Sequence, residues 1–452
     1  MSYEFGTVLA YNKEDKNVTD MRYFRQALAL MREERLYSAM YIAGTALAVA
    51  FVMLIAEVYY VKVADIAPEV HRSTTYYLDD MTLWDKEDDQ TTELKNIHYE
   101  TYRDLFQKMQ TPEYMAAEME MWSNTLFGIT LADSVHKYSV KGRLTDTGFF
   151  HLYQFHFIEG APFTQADFDN GRNNVVITED LRDHLFGHGQ KGVGRTLTLD
   201  YHTYRICGVV ETPSALTEKC VADIWMPFTI EDPLRDRGVH GMEMPIRLAF
   251  SVPADKRDAF LQELKDIEAR YNALHKDAPV TITDRLQSHY EQVWHDIGYI
   301  FNAFDVSLFW YVVPAILLLL LVPALNLSGM VASRMERRLP EMAIRKAFGA
   351  KRRTLFGEVI MENLVLTIIG GVVGLCLAWT ALYGWRDWVF YVFSESDNLY
   401  GTVPLLKGEM FFGPAVFAIA LLVCCVLNVL AATLPAWLSL RKPIVESMMI
   451  KK

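Results

Sequence analysis

The chain of 452 residues is 51% hydrophobic and carries 56 acidic against 44 basic side chains, a formal net charge of −12. That balance excludes nucleic-acid binding by broad phosphate neutralisation, which needs an excess of Lys and Arg. The apolar residues are gathered in four runs, roughly 40–62, 308–330, 359–382 and 411–434, each near or above the ~20 residues that carry a helix through a bilayer.

The first residues are polar and aperiodic. From Met21 onward, Phe24, Ala27, Leu28, Met31 and Leu36 recur at helical spacing among Arg22, Arg25, Arg32 and Arg35. This predicts an amphipathic helix on the inner leaflet that closes the tail 1–39 and leads into the first span. The span starts too far from residue 1 for a secretory signal. Despite the triplet Ala48-Val49-Ala50 it reads as an uncleaved anchor. Glu57 falls near its outer end, where a carboxylate is expected to reach water.

Residues 63–301 form the largest polar block, with 39 acidic and 23 basic side chains, and this excess of acid reads as solubility. A strand is predicted at Thr74–Leu78 and a helical stretch at Tyr99–Met109. The run Asp85, Glu87, Asp88 and Asp89 reads as a solvated loop. Alternation and β-branched content predict strands at Asn174–Ile177, Thr196–Leu199 and Tyr204–Val210, punctuated by Gly187, Gly189, Gly192 and Gly194. A strand from Ile246, a helix over Asp255–Tyr271 and a strand at Val280–Thr283 make a β-α-β unit expected to pair with the first section across the insertion. Cys207 and Cys220 lie in this block, and their spacing leaves open a disulfide or two separate core thiols. Cys376, Cys424 and Cys425 sit in apolar runs and behave as small hydrophobes.

Kinks are expected at Pro314 and Pro323 in the second span and near Pro435 in the fourth. Between the second and third runs stand Arg334, Arg337, Arg338, Arg345, Lys346, Lys351, Arg352 and Arg353. Basic residues also precede the first run and follow the fourth, as Arg441, Lys442, Lys451 and Lys452. The positive-inside bias therefore puts both termini and this basic segment in the cytosol, and 63–301 outside. The stretch Glu336–Trp379 joins a basic amphipathic segment, an elbow at Gly349 and an apolar run without a break, which reads as a cytosolic docking element fused to a span. In that run Gly370 and Gly374 have the small-xxx-small spacing that brings helices close, with Gly371 between them. Glu362 and Asn363 need partners there, and Arg352 or Arg353 is the expected partner of Glu362.

Motifs for catalysis are missing from the sequence. Gly187-His188-Gly189-Gln190-Lys191-Gly192 is not followed by the Lys-Ser/Thr of a phosphate loop. His184 and His188 are four apart but lack a third ligand at a persuasive spacing, so no metal site is expected. No nucleophile–base set stands out, so a non-catalytic chain with no cofactor of its own is expected.

The stretch from Glu341, Glu-Met-Ala-Ile-Arg-Lys-Ala-Phe-Gly-Ala-Lys-Arg-Arg, resembles the cytosolic motif of FtsX-like ABC transporter permeases, as do the Glu-Asn-Leu and Gly-Gly-x-x-Gly that follow it. The segment 148–163, Gly-Phe-Phe-His-Leu-Tyr-Gln-Phe-His-Phe-Ile-Glu-Gly-Ala-Pro-Phe, is similar to the extracytoplasmic domain of MacB-like members, and so is Asn174–Leu181 with Leu185-Phe186-Gly187 and Val193-Gly194.

The resemblance implies a multi-pass protein of the bacterial inner membrane. It has four transmembrane helices and a large periplasmic α+β domain at 63–301 between the first two. That domain divides into a porter part near 65–140 and 245–300 and a sabre part near 141–244. The permease region is 302–452, with a coupling segment at 334–353. The resemblance further implies a permease homodimer or heterodimer in membrane lipid, docked on separate ABC ATPase subunits that bind the ATP. A periplasmic adaptor or outer-membrane component is a further possible partner. Glu341, Ile344, Arg345, Lys346, Phe348, Gly349, Arg352 and Arg353 are the implied coupling residues. Export or envelope maintenance is the implied role, and a non-transporting sensor or scaffold that regulates a hydrolase is the alternative.

Overall fold

The computed structural model describes residues 33–84, 92–119, 126–130, 137–199, 202–214, 216–230, 245–276, 279–300, 308–393 and 414–441. The predicted amphipathic helix before residue 33 and the acidic run at 85–89 lie outside the described residues. Two units separate: Met1–Tyr60 with Val306–Phe393 and Gly408–Lys452, and Val61–Asp305 with Ser394–Lys407. The long helices are α1 (Arg35–Val63), α2 (Glu179–Phe186), α3 (Arg257–Leu274), α4 (His289–Ile300), α5 (Leu308–Ala347), α6 (Arg352–Phe393) and α7 (Pro414–Arg441).

In the unit that starts at Val61, the first strands are β1 (Thr75–Leu78), β2 (Asp80–Trp84), β3 (Thr92–Asn96), β4 (Tyr114–Met119), β5 (Leu126–Thr130), β6 (Lys137–Thr145) and β7 (Phe157–Gly160). They continue as β8 (Asn174–Thr178), β9 (Thr196–Leu199), β10 (His202–Val210), β11 (Ile224–Pro227), β12 (Ile246–Ser251), β13 (Val280–Thr281) and β14 (Gln287–Ser288). One sheet runs β11-β8-β10-β9-β5-β6-β4-β12-β1-β14, with β7 on β10. Because β11 also pairs in parallel with β6, the strands β11, β8, β10, β9, β5 and β6 close into a ring. A closed ring of this size has no free edge and fills its interior with side chains. From β6 the remaining strands extend as an antiparallel arm, β4-β12-β1-β14.

The expected β-α-β unit is present as β12, α3 and β13, and β12 does pair with β1. The crossover makes no parallel pair, however. β12 runs antiparallel to both its neighbours, and the two-residue β13 joins β2 and β3 in a separate three-stranded sheet.

Packing explains the aromatic segment after Gly148. Phe149, Phe150 and Tyr153 are buried, with ring centroids of Phe149 and Tyr153 4.6 Å apart and Phe150 edge-on to Phe163 at 5.4 Å. Asp146 starts this turn by accepting from the Phe149 N–H at 3.0 Å and the Tyr102 hydroxyl at 2.9 Å. Burial pushes its carboxyl up to about 6. Cys207 and Cys220 are both free thiols, each donating to a backbone carbonyl, of Val175 and Thr217 respectively. Burial pushes the Cys207 thiol up to about 12.

In the other unit, three helical stretches among the described residues are long and apolar enough to cross a membrane: Arg35–Val63, Arg352–Trp385 and Phe417–Leu438. The remaining run opens α5, where the side chains of 308–327 lie outside the described residues. α5 is assigned as one helix through Pro314 and Pro323, and Pro435 sits inside α7. In α6, Trp385, just after Gly384, has non-helical dihedrals (φ −119°, ψ 20°). Glu57, expected to face water, is buried. It shares the face of Val49 and Met53, four residues apart in turn, and that face packs inward.

Candidate functional site

The basic segment is the last third of α5, continuous with the expected span before it. Gly349 ends the helix at φ +92°, a conformation that only glycine adopts without strain. The Ala350 N–H donates to the Arg345 carbonyl and the Gly349 N–H to that of Lys346, both at 3.0 Å. This pair of bonds satisfies the open carbonyls of the last turn. After Lys351 the chain re-enters a helix, α6, at Arg352.

The two faces of this helix end differ. Val331, Met335 and Met342 are buried with Leu355 and Val359 of α6, Ala432 and Ala436 of α7 and Tyr41 of α1. Opposite them, Ile344 is 50% and Phe348 89% exposed. Four apart, these two make an apolar knob at the helix tip. Glu341, Arg352 and Arg353 are exposed around it. Lys346 is half-buried, and burial together with the Arg352 charge holds its ammonium below the usual range.

A chain of alternating charges runs from the tip along α5. Arg345 pairs with Glu358 of α6 at 3.1 Å and Glu341 at 2.7 Å, and Arg338 reaches Glu341 at 3.9 Å and Glu362 at 2.8 Å. Arg334 also pairs with Glu362, and with Glu34 before α1 at 2.6 Å. Its guanidinium lies 4.4 Å from the Tyr37 ring centroid. The expected partners of Glu362 are therefore corrected: they are Arg334 and Arg338, not Arg352 or Arg353. Glu362 lies ten residues along α6 from Arg352, an axial distance of ~15 Å at helical rise, whereas Arg334 and Arg338 are one turn apart on α5. Spacing carried part of this signal, since Glu358 and Glu362 are also four apart. Glu34 gave none.

Deeper in the unit, the Tyr41 hydroxyl of α1 is 3.3 Å from that of Thr367 in α6, which accepts from the Asn428 amide of α7 at 3.2 Å. The glycines of α6 sit where a side chain would not fit. A Cβ on Gly370 would lie 2.8 Å from Thr45 Cβ, one on Gly374 2.8 Å from Val49 Cβ, and one on Gly371 would strike Leu421. In the Val61 unit His188 pairs with Asp183. Among the described residues no group of three His, Cys, Asp or Glu side chains is placed to hold a metal ion.

Two families match. The MacB-like periplasmic core domain matches residues 38–267 and the FtsX-like permease C-terminal domain residues 313–444. The pyoverdine export ATP-binding/permease protein PvdT of Pseudomonas fluorescens (strain Pf0-1) is 24% identical over 238 residues, 52% of this chain and 34% of that protein. The chain thus spans about a third of the length of that relative. The uncharacterized ABC transporter permease YvrN of Bacillus subtilis (strain 168) is 23% identical over 280 residues, 60% of this chain and 63% of that protein. The crystal structure of the periplasmic region of MacB from Actinobacillus actinomycetemcomitans aligns over 47% of this chain and 90% of that chain, at 13% identity and a TM-score of 0.33.

Proposed function

Because the chain belongs to the MacB/FtsX-like family of ABC transporter permeases, we propose that it converts ATP hydrolysis by a separate ATPase subunit into motion of the unit that begins at Val61. On this reading that unit lies in the periplasm of a bacterial inner-membrane protein, both termini are cytosolic, and four helices span. The chain works as a homodimer or heterodimer on its ATPase subunits, in export or envelope maintenance. Export is in keeping with the name of the related PvdT.

The observation that carries the proposal is Phe348, 89% exposed at the tip of a helix whose other face is packed. A large apolar side chain displayed beside a chain of paired charges fits a groove on a partner protein. Ile344 completes the knob, with Glu341, Arg345 and Lys346 beside it and Arg352 and Arg353 beyond the Gly349 elbow. The charge chain from Arg345 to Arg334 would carry a push on the knob toward α6 and α1.

Trypsin tests the orientation. In sealed inside-out vesicles it should cut at the exposed Lys351–Arg353 turn, and in right-side-out vesicles it should leave that turn intact. The reverse pattern contradicts the reading.

A further inference from the structure

The last turn of α1, Val61–Val63, leaves carbonyls with no partner inside the helix. They are taken by side chains from elsewhere in the chain. Arg72 donates to the Val61 carbonyl at 2.6 Å and to that of Ala64 at 2.9 Å, and His289 Nε2 donates to the Lys62 carbonyl at 2.8 Å. That bond fixes the tautomer, so Nδ1 accepts from the Tyr77 hydroxyl at 3.1 Å. Burial holds the imidazolium below its usual range, which keeps the ring neutral and this pattern intact.

Each donor leads to a different part of the sheet. Arg72 also donates to the Leu216 carbonyl at 3.3 Å and pairs with Glu69 at 2.7 Å, and Glu69 accepts from the Lys219 N–H at 2.9 Å. Both side chains of the pair are almost wholly buried. Against the cost of burial, the Arg72 guanidinium holds the Glu69 carboxyl below its usual value. The loop at 216–221 is gripped in turn by Arg143 of β6, which donates to the Glu218 carbonyl at 2.7 Å and pairs with Glu118 of β4. β6 belongs to the closed ring. Tyr77, the partner of His289, is on β1 in the antiparallel arm.

We propose that Arg72 and His289 form the joint that delivers displacement of the α1 end to the sheet, Arg72 through the 216–221 loop to the ring and His289 through Tyr77 to the arm. This rests on the coupling reading above and names the positioning residues it requires. A buried guanidinium whose three nitrogens are all bonded, Nε to Glu69 and the other two to backbone carbonyls, transmits displacement because its geometry is fixed and its bonds cannot be exchanged for water.

The test is hydrogen exchange on the full chain in lipid nanodiscs with its ATPase, with and without vanadate-trapped nucleotide. In the wild type, trapping is expected to shift exchange in both β10 and β12. Arg72→Met should abolish the shift in β10 while the ATPase stays bound and active. His289→Leu should abolish the shift in β12. His289→Gln, whose amide still donates to the Lys62 carbonyl, should retain it, which separates the joint from a general loss of folding. If the wild-type shifts persist in Arg72→Met and His289→Leu, the joint is overturned while the coupling reading stands. A wild type that hydrolyses ATP without any shift in the sheet overturns the coupling reading, and the joint with it.

Discussion

Replacing Phe348 with Asp should abolish recovery of the proposed ATPase partner with this chain from detergent-solubilised membranes, while insertion and the thermal midpoint of the chain stay unchanged. The side chain is 89% exposed, so the chain itself loses almost no packing, and surface changes of this kind stay within ~0.5 kcal/mol of stability. The partner's groove would instead have to bury a carboxylate with no counter-charge. Anchors of this kind cost 2 kcal/mol or more when merely truncated, about 30-fold in affinity, and burying an unpaired charge costs more. The check is an affinity pull-down of the variant beside the wild type and Phe348→Leu, which keeps an apolar knob and should retain the partner. Undiminished recovery with Asp removes Phe348 from the interface.

Glu362→Leu produces the second large effect, and here the chain itself suffers. Arg334 and Arg338 both point at this carboxylate, with 7% and 12% of their side-chain surface exposed. Removing one partner of a buried ion pair leaves the other uncompensated, at ~3–5 kcal/mol. For a unit of this size that lowers the thermal midpoint by about 10 °C, at ~2–4 °C per kcal/mol. Glu341→Gln, at a side chain 51% exposed, should cost no more than ~1 kcal/mol, a shift of at most ~2–4 °C. Differential scanning of the purified chain in one detergent compares the two directly. A Glu362→Leu midpoint within about a degree of wild type would show that Glu34 and Glu341 suffice as partners of the two arginines.

The sequence made plain the parts of this fold that rest on local periodicity. Thr196–Leu199 and the start of Tyr204–Val210 alternate, Asn174–Ile177 is a β-branched run, and all three lie in strands. Gly349 punctuates a helix because no other residue takes φ +92° there without strain. What stayed hidden depends on partners far apart in the chain. The ring closes through β6 and β11, whose registered residues, such as Arg143 and Trp225, are about eighty apart, and no alternation pattern encodes that pairing. Nearness in sequence points Glu362 to Arg352 and Arg353, whereas helical rise carries those side chains away from it and Arg334 and Arg338 of α5 meet it. Arg72 and His289 gave no sequence signal, since a lone arginine after a span and a lone histidine before a helix are common. Their roles follow from the carbonyls they meet. Spacing leaves Cys207 and Cys220 open to a disulfide, yet both are free thiols, Cys207 donating across to the neighbouring strand at Val175 and Cys220 to Thr217 within its own loop.

The most direct measurement is the separation between the ring and the arm in the reconstituted complex during turnover. A donor and acceptor dye placed by unnatural amino acids at exposed Lys191 and Leu274 report it by single-molecule energy transfer. Distances that change when ATP is added, and that stay fixed in the Phe348→Asp chain under the same conditions, are the predicted result. A distance indifferent to ATP while the bound ATPase turns over would contradict the account.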